Sequence, residues 1–574
     1  MGLKNHRYAN ITWAVLLVGA IYVISLTFHG KNGFWNVDDA NKFIQLKGIL
    51  ASHYSDYSIH WPGSTLDPDF EYNPLPSPFS AVKDHRLFSI YSPIFAIVSS
   101  WFFKVFGFWG LYFLPLVFSV FMLFGIARIA DIMDCDKTAK NLAVLITGLC
   151  TPIWFYSVVF WEHIIAVSLG VWGLSFCLEF LKSGSRRCLV LGAVVSSLSI
   201  YFRDELYLFC AVLLGAVLLY APKERLKSAA IFLLTTIISL MPLWSIQWKT
   251  MGQPFGFHIG VHLFSASGIA QHISDRPAVL YNLFVASSKI LWLSFALTLP
   301  FVIAFLLNPK LSEKSFKVAV PLYLLVGLAS SGFGLGLYLF ADSPISQMLH
   351  SNSLFTASPV LILAFMRYRN SVMAEPDLSL KRVLWLVALA YAMVYGLTAP
   401  KLGSTGIHWG NRFLLILYPL LAILAAVNLA QWWSCFNRKI NWGKLVIVLA
   451  VGLSLGAQVY SLNVLRKAQV FSYRLNQEME KRSEEIIVTD VWWVPQELYS
   501  QFYKKPIFLV RSQVQYDQLI EKLISRGYKE ILFISPLFEG KAHPGAAEVT
   551  DNGLNFFNLQ YTVVDIAGSQ NKVN

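Results

Sequence analysis

Charge is what this sequence has least of. Only 14% of its 574 residues are charged, against about 25% in a typical soluble domain. Such a deficit excludes an ordinary solvated globule. Cysteine is also sparse: Cys135, Cys150, Cys177, Cys188, Cys210 and Cys435 make six. None lies in residues 29–90 or after Leu465, so no disulfide framework or metal-ligand spacing is visible. No Gly-rich phosphate loop occurs, and no basic stripe makes the net charge of +13 a nucleic-acid footprint. No internal repeat is visible, which argues against a transporter built from repeats. The first apolar stretch, Ile11 to Phe28, lacks an Ala-x-Ala-like cleavage site, and it reads as a retained helix behind a short basic tip.

Apolar residues fill the space that charge leaves. Hydrophobic residues make up 56% of the chain, with 43 Phe, 25 Tyr and 18 Trp, as expected where aromatic belts meet two membrane interfaces. Runs of about 20 apolar residues, enough to cross a bilayer at about 1.5 Å per residue, recur through residues 11–463. In lipid they must be helices, because unpaired backbone amides cost several kcal/mol each. The runs place helices at 11–28, 109–128, 141–158, 164–181, 188–202, 206–221, 228–248, 288–307, 318–340, 353–366, 383–399, 412–433 and 445–463. The short segment Ile94 to Phe106 is expected to lie on or dip into the outer leaflet.

Loop charge sets the orientation. With the N-terminus inside, the inner segments hold 21 Lys or Arg against 7 Asp or Glu. The outer segments before the C-terminal region hold 10 against 12. The excess of Lys and Arg belongs on the cytoplasmic side. Histidines fall the other way: apart from His6, all lie on or near the outer side. They are either ordinary loop residues or the lining of an aqueous outer cavity.

After about Leu465 the character changes. Strands are expected at Glu484 to Asp490, Ile507 to Arg511, Glu530 to Ser535 and Tyr561 to Ile566, with helices at Pro495 to Tyr503 and Val514 to Arg526. Strands alternating with helices predict a small α/β layer. The fold class is a polytopic α-helical membrane protein of about thirteen transmembrane helices, residues 1–463, followed by an outer α/β domain, residues 464–574.

Polar clusters mark the outer side. The long first outer loop, residues 29–92, opens with Trp35-Asn36-Val37-Asp38-Asp39-Ala40-Asn41-Lys42. Asp38 and Asp39 suit a general base, since desolvation or a like-charged neighbour can raise a carboxylate's pKa. Equally, either could cap a helix over Ala40 to Leu50. Lys83 and Arg86 would sit near the headgroup level, as anchors or as partners of a lipid phosphate. Short outer turns carry Trp161-Glu162-His163 and Arg203-Asp204-Glu205. Charges in such apolar surroundings need partners or a function, and Arg203 has carboxylates beside it. The segment Gly403 to Arg412 includes His408, Trp409, Gly410 and Asn411. Glycine permits close backbone approach, and Arg412 suits bidentate contact with a phosphate.

In this order, these features resemble the GT-C superfamily of membrane glycosyltransferases that use polyprenyl-phosphate sugars. In style they are nearest to protein O-mannosyltransferases and lipid A aminoarabinose transferases. The resemblance covers residues 1–463 by layout. Its carriers are Asp38-Asp39, Tyr91-Ser92-Pro93-Ile94, Glu162 and the segment Gly406 to Arg412. It implies Asp38 or Asp39 as the catalytic base, with Glu162 as a further catalytic position. Two features depart from the family pattern. Relatives often carry a Lys before Pro-Pro-Leu that helps bind the lipid phosphate, whereas here Ser92 precedes a single Pro93. Relatives also often have Asp where Glu162 stands. The phosphate role is thereby passed to Arg412, Arg86 or Lys83, with Arg203, His408 and His163 as further donor-binding candidates.

The implied reaction is an inverting transfer of sugar from a polyprenyl-phosphate donor to a hydroxyl of a cell-envelope acceptor. It requires no metal or other cofactor, and no nucleic acid takes part. Alternatives are a transporter or flippase, a polymerase or ligase of lipid-linked saccharides, and a noncatalytic assembly subunit. The expected setting is a bacterial cytoplasmic membrane with the site facing the periplasm. The only Asn-x-Ser/Thr sequon, Asn10-Ile11-Thr12, lies at the inner end of the first helix.

Overall fold

Apolar runs become helices wherever proline does not interrupt them, and the interruptions set the architecture. The computed structural model describes residues 13–28, 32–256, 276–284, 353–365, 378–399, 408–435, 442–536, 549–550 and 559–566. Helices expected at 288–307 and 318–340 lie outside the described residues, as does the segment Gly403 to Ile407.

In chain order the helices begin with α1 (Trp13–Thr27), α2 (Val37–Ala51), α3 (Pro93–Phe106) and α4 (Phe113–Ile132). Next come α5 (Lys137–Leu149), α6 (Ile153–Ser157), α7 (His163–Ser183), α8 (Arg186–Ile200), α9 (Leu206–Tyr220) and α10 (Arg225–Met251). They continue as α11 (Arg276–Phe284), α12 (Leu354–Ala357), α13 (Leu378–Thr398), α14 (Leu417–Cys435) and α15 (Trp442–Glu480). The last are α16 (Val494–Glu497) and α17 (Gln513–Ser525). Among the described residues, five helical segments are long and apolar enough to cross a membrane: Pro93–Ile132, His163–Ser183, Arg225–Met251, Ser379–Thr398 and Ile447–Glu480.

Three expected helices are corrected. The run 141–158 is two helices, α5 and α6. Pro152 has no amide to donate and disfavours helical backbone at Thr151, so α5 stops at Leu149. The run 353–366 is the single turn α12 followed by a 3-10 stretch, Pro359–Phe365, because Pro359 breaks it in the same way. The last run extends well past 463: α15 continues to Glu480, since Phe471, Leu475 and Met479 recur every fourth residue and place an apolar stripe on one face.

The chain divides into two compact units. The first comprises Met1–Phe28, Tyr112–Leu243 and His262–Val464. Its tightest helix pair is α7 against α8. A Cβ at Gly173 would lie 2.7 Å from the Ser196 Cβ, so only glycine lets these backbones meet. Close approach through small residues drives helix pairing where lipid removes the hydrophobic advantage. In the same unit Tyr22 on α1 donates to the Gly148 carbonyl at 2.9 Å, and Trp154 Nε1 donates to Ser25 Oγ at 2.9 Å.

The second unit comprises His29–Leu111, Trp244–Val261 and Leu465–Asn574. The first outer loop, expected to belong with the membrane part, therefore clusters with the C-terminal residues. A five-stranded sheet organises the unit, made of β3 (Ile487–Thr489), β4 (Ile507–Leu509), β5 (Glu530–Pro536), β6 (Val549–Thr550) and β7 (Leu559–Asp565) in the order β4-β3-β5-β7-β6. β3 runs parallel to both β4 and β5, and β7 is antiparallel to β5. Phe471, Leu475 and Met479 of α15 pack with Ile487, Leu532 and Tyr561 in its core. The loop joins this core: the Leu509 amide donates to the Tyr72 carbonyl at 3.0 Å, and Trp61 meets Phe508 edge-on at 5.4 Å. The two-stranded hairpin of β1 (Ser80–Lys83) and β2 (Arg86–Ser89) was not expected from the sequence.

Candidate functional site

The helix bearing the two aspartates starts earlier than expected, and this changes their roles. Asn36 is the N-cap of α2: its Oδ1 accepts from the amides of Asp38 at 3.0 Å and Asp39 at 3.3 Å. Asn is as good a cap as Asp, so neither carboxylate is consumed in capping. Both lie in the first turn, where the helix dipole favours negative charge. They are buried, with Asp38 9% and Asp39 2% exposed. Tyr91 Oη donates to Asp38 Oδ1 at 2.5 Å, a short charge-assisted bond that orients the carboxylate. Tyr91 is the first residue of the Tyr-Ser-Pro-Ile landmark that opens α3. The Lys42 ammonium sits 4.6 Å from the Tyr91 ring centroid and is itself buried. The sequence did not single out Lys42, although its place one turn after Asp38 puts it on the same helical face.

Lys83 and Arg86 lie on the two strands of the hairpin. The Arg86 guanidinium pairs with Asp56 Oδ1 and donates to Ser58 Oγ at 3.1 Å. Burial acts to raise the Asp56 carboxyl, but hydrogen bonds from Ser58 and the Arg86 charge hold it below its ordinary value. His60 Nε2 adds a contact at 3.0 Å. Arg86 thus closes a local ion pair at the end of a strand whose other residues, Leu87 to Ser89, are buried. Lys83 lies next to Gly252 at the end of α10, where a glycine Cβ would come within 2.8 Å of its Nζ.

In the first unit a second cluster forms at one end of α7 and α9. Arg203 Nε donates to both Glu205 oxygens at 3.0 Å, and its Nη1 donates to Glu162 Oε1 at 3.2 Å. All three side chains are almost fully buried. Arg203 is thus neutralised by two carboxylates, one more than local pairing required. His163 Nδ1 lies 3.8 Å from Glu162 Oε1.

Arg412 is held differently. Its guanidinium stacks 5.5 Å from the Trp161 ring and 4.9 Å from the Phe413 ring. Stacking occupies the face of the guanidinium, whereas its N–H groups lie in the plane suited to a phosphate. The supporting turn is fixed tightly. Asn411 Oδ1 accepts from the Phe413 and Leu414 amides at 3.1 Å, and Tyr391 Oη donates to the Phe413 carbonyl at 2.8 Å. Trp409 Nε1 donates to Gln458 Oε1 at 2.9 Å. Gly410 has φ +59°, and a Cβ there would lie 2.4 Å from Pro152 Cγ, so the turn requires glycine. His408 is fully buried, its ring 6.4 Å from that of Phe413. His163, Arg203, Glu205, Arg412 and Phe413 line one recess with about 190 Å³ of empty space.

The structure thus brings Glu162, His163, Arg203 and Arg412 together in one unit. It places Asp38 and Asp39 with Tyr91 and Lys42 in the other. Glu205 and Trp161 complete the first cluster; the sequence quoted both without giving either a role. Among the described residues, no group of three or more His, Cys, Asp or Glu side chains could hold a metal ion.

No family model and no curated protein matches the chain. Solved structures do. ArnT from Cupriavidus metallidurans bound to undecaprenyl phosphate matches with TM-score 0.52 at 13% identity, over 96% of this chain and 97% of that one. The apo form of the same protein matches with TM-score 0.50 at 12% identity, over 98% and 99%. This chain therefore has the fold of these ArnT structures.

Proposed function

We propose that this chain transfers a sugar from a polyprenyl-phosphate donor to a hydroxyl of a cell-envelope glycan, lipid or protein, on the outer face of a bacterial cytoplasmic membrane. One observation carries the reading: Asp38 and Asp39 stand buried in the first turn of α2 while Asn36 does the capping. A buried carboxylate oriented by a hydrogen bond, as Asp38 is by Tyr91, suits proton abstraction.

The reaction balances without a cofactor. The acceptor oxygen attacks the anomeric carbon, and its proton passes to Asp38 or Asp39. The carbon–oxygen bond to phosphate breaks as the new bond forms, so the anomeric centre inverts. Polyprenyl phosphate leaves with the electron pair, and Arg412 stabilises its charge. Glu162 acts through Arg203, holding the wall of the Arg412 recess, and His163 and His408 serve as hydrogen-bonding groups toward the donor. Lys83 and Arg86 anchor the hairpin at the headgroup level. The bound lipid of the C. metallidurans protein, undecaprenyl phosphate, is of the class that the proposed reaction releases.

The test is transfer by the wild type in nanodiscs, using radiolabelled polyprenyl-phosphate sugars and an envelope fraction as acceptor. Label moving into the acceptor is the expected result. No transfer across the donor panel, with lipid-linked sugar crossing liposome membranes instead, would replace this reading with a transporter.

A further inference from the structure

Beside Lys42, three further buried polar residues share one face of α2 at helical spacing: Asp38, Asn41 and Gln45. Positions i, i+3 and i+7 lie in one stripe. The outer two are tied to a single residue. Asp38 accepts from Tyr91 Oη at 2.5 Å, and Gln45 Nε2 donates to the Tyr91 carbonyl at 3.1 Å. The middle one is tied elsewhere. Asn41 Nδ2 donates to Gln496 Oε1 at 2.7 Å, across 455 residues of sequence.

Gln496 is a fixed partner. It is fully buried, and its Nε2 donates to the Trp492 carbonyl at 2.9 Å within the turn of α16. That turn is anchored to α15, where Ser472 Oγ donates to Glu497 Oε2 at 2.8 Å and Asn476 Nδ2 donates to the Glu497 carbonyl at 2.7 Å. Farther along α2, Tyr503 Oη donates to the Ile44 carbonyl at 2.8 Å. These contacts join the α/β domain to the helix bearing the aspartates, and the closest to the carboxylates is the Asn41–Gln496 bond.

We infer that the C-terminal α/β domain sets the position of the α2 carboxylates, with Gln496 and Asn41 as positioning residues. The domain is then a structural part of the catalytic machinery. The inference rests on the proposed role of Asp38 or Asp39. A bond that merely fastened a loop would contribute to stability alone. A bond that sets a base must also contribute to the rate, since a misplacement of about 1 Å can cost about 100-fold.

The experiment measures kcat and donor KM for the full chain in nanodiscs, with Asn41→Leu, Gln496→Leu and the double variant. Each single change is expected to lower kcat about 100-fold with donor KM nearly unchanged. The double variant should be no slower than the worse single, because both remove one interaction. Gln496→Glu retains an oxygen acceptor for Asn41 and is expected to recover most of the lost kcat. Leu519→Ala, which removes a core contact of α17, should lower the unfolding temperature while sparing kcat below it. Unchanged kcat in both singles would overturn the inference, as would kcat losses that track unfolding temperature in all variants including Leu519→Ala. A wild type that transfers no sugar to any acceptor would overturn the functional reading and this inference with it.

Discussion

The two polar clusters solve the problem of buried charge in opposite ways. In the first unit Arg203 is closed by two carboxylates, Glu162 and Glu205. In the second, Tyr91 Oη donates to the Asp38 carboxylate, and Asn36 caps the helix that carries it by accepting from the Asp38 amide. Two carboxylates cancel the field of Arg203, whereas the Tyr91 hydroxyl orients the Asp38 carboxylate. Within the first unit the same contrast separates Arg203 from Arg412, whose guanidinium rests on aromatic rings. Arg203 should therefore govern stability, and Asp38 and Arg412 should govern chemistry.

The largest effect that would break this contrast is at Arg203. Arg203→Met strands two buried carboxylates, which should cost about 3–5 kcal/mol. Thermal unfolding in nanodiscs reads it, and a variant as stable as wild type would contradict the assignment. Arg412→Ala should behave in the converse way. Donor affinity is expected to fall about 10- to 100-fold, the loss of a charge-assisted phosphate contact of about 1.5–3 kcal/mol, with little change in unfolding temperature. Equilibrium binding of polyprenyl phosphate to wild type and variant separates these outcomes.

A smaller test concerns the α/β domain. Glu497 is buried on α16, and desolvation lifts its carboxyl from 4.5 to about 7 against the bond from Ser472. The folded state therefore binds this proton more tightly than the unfolded state. Its contribution to stability is fullest below about pH 4.5, declines as pH rises toward 7, and levels off above that. Glu497→Gln should flatten the profile across that window in chemical denaturation, and an unaltered slope would contradict the burial. Smallest is Arg86→Ala, which removes an exposed pair with Asp56. It should cost less than about 1 kcal/mol and leave donor binding intact, so a large loss of binding would return Arg86 to the phosphate site.

What the sequence could convey follows from the range of the interactions involved. Apolar runs are local, and most described helices fall within a few residues of expectation: α7 at 163–183 against 164–181, α9 at 206–220 against 206–221. The strands of the α/β layer were legible through alternation, although β6 is two residues long and too short to show a pattern. Prolines are visible in the sequence, but whether one ends a helix, as at Pro152 and Pro359, or sits inside it, as Pro242 does in α10, depends on more than the local run. The cap at Asn36 was legible in principle, since Asn two residues before Asp38 is as strong a signal as the aspartates. Their identity drew attention away from it. The Asn41–Gln496 bond joins residues 455 apart, and nothing local in either segment announces it. Arg203 illustrates the middle case: its neighbour Glu205 was visible, whereas Glu162 reaches it from another turn.

The central claim is that a carboxylate of α2 takes the acceptor proton. Its most direct test is the single-turnover rate of sugar transfer by Asp38→Asn and Asp39→Asn, each first shown to be folded and to bind polyprenyl phosphate like wild type. The account predicts that one of the two loses transfer by at least about 100-fold while still binding the lipid. Transfer at the wild-type rate by both variants would contradict it.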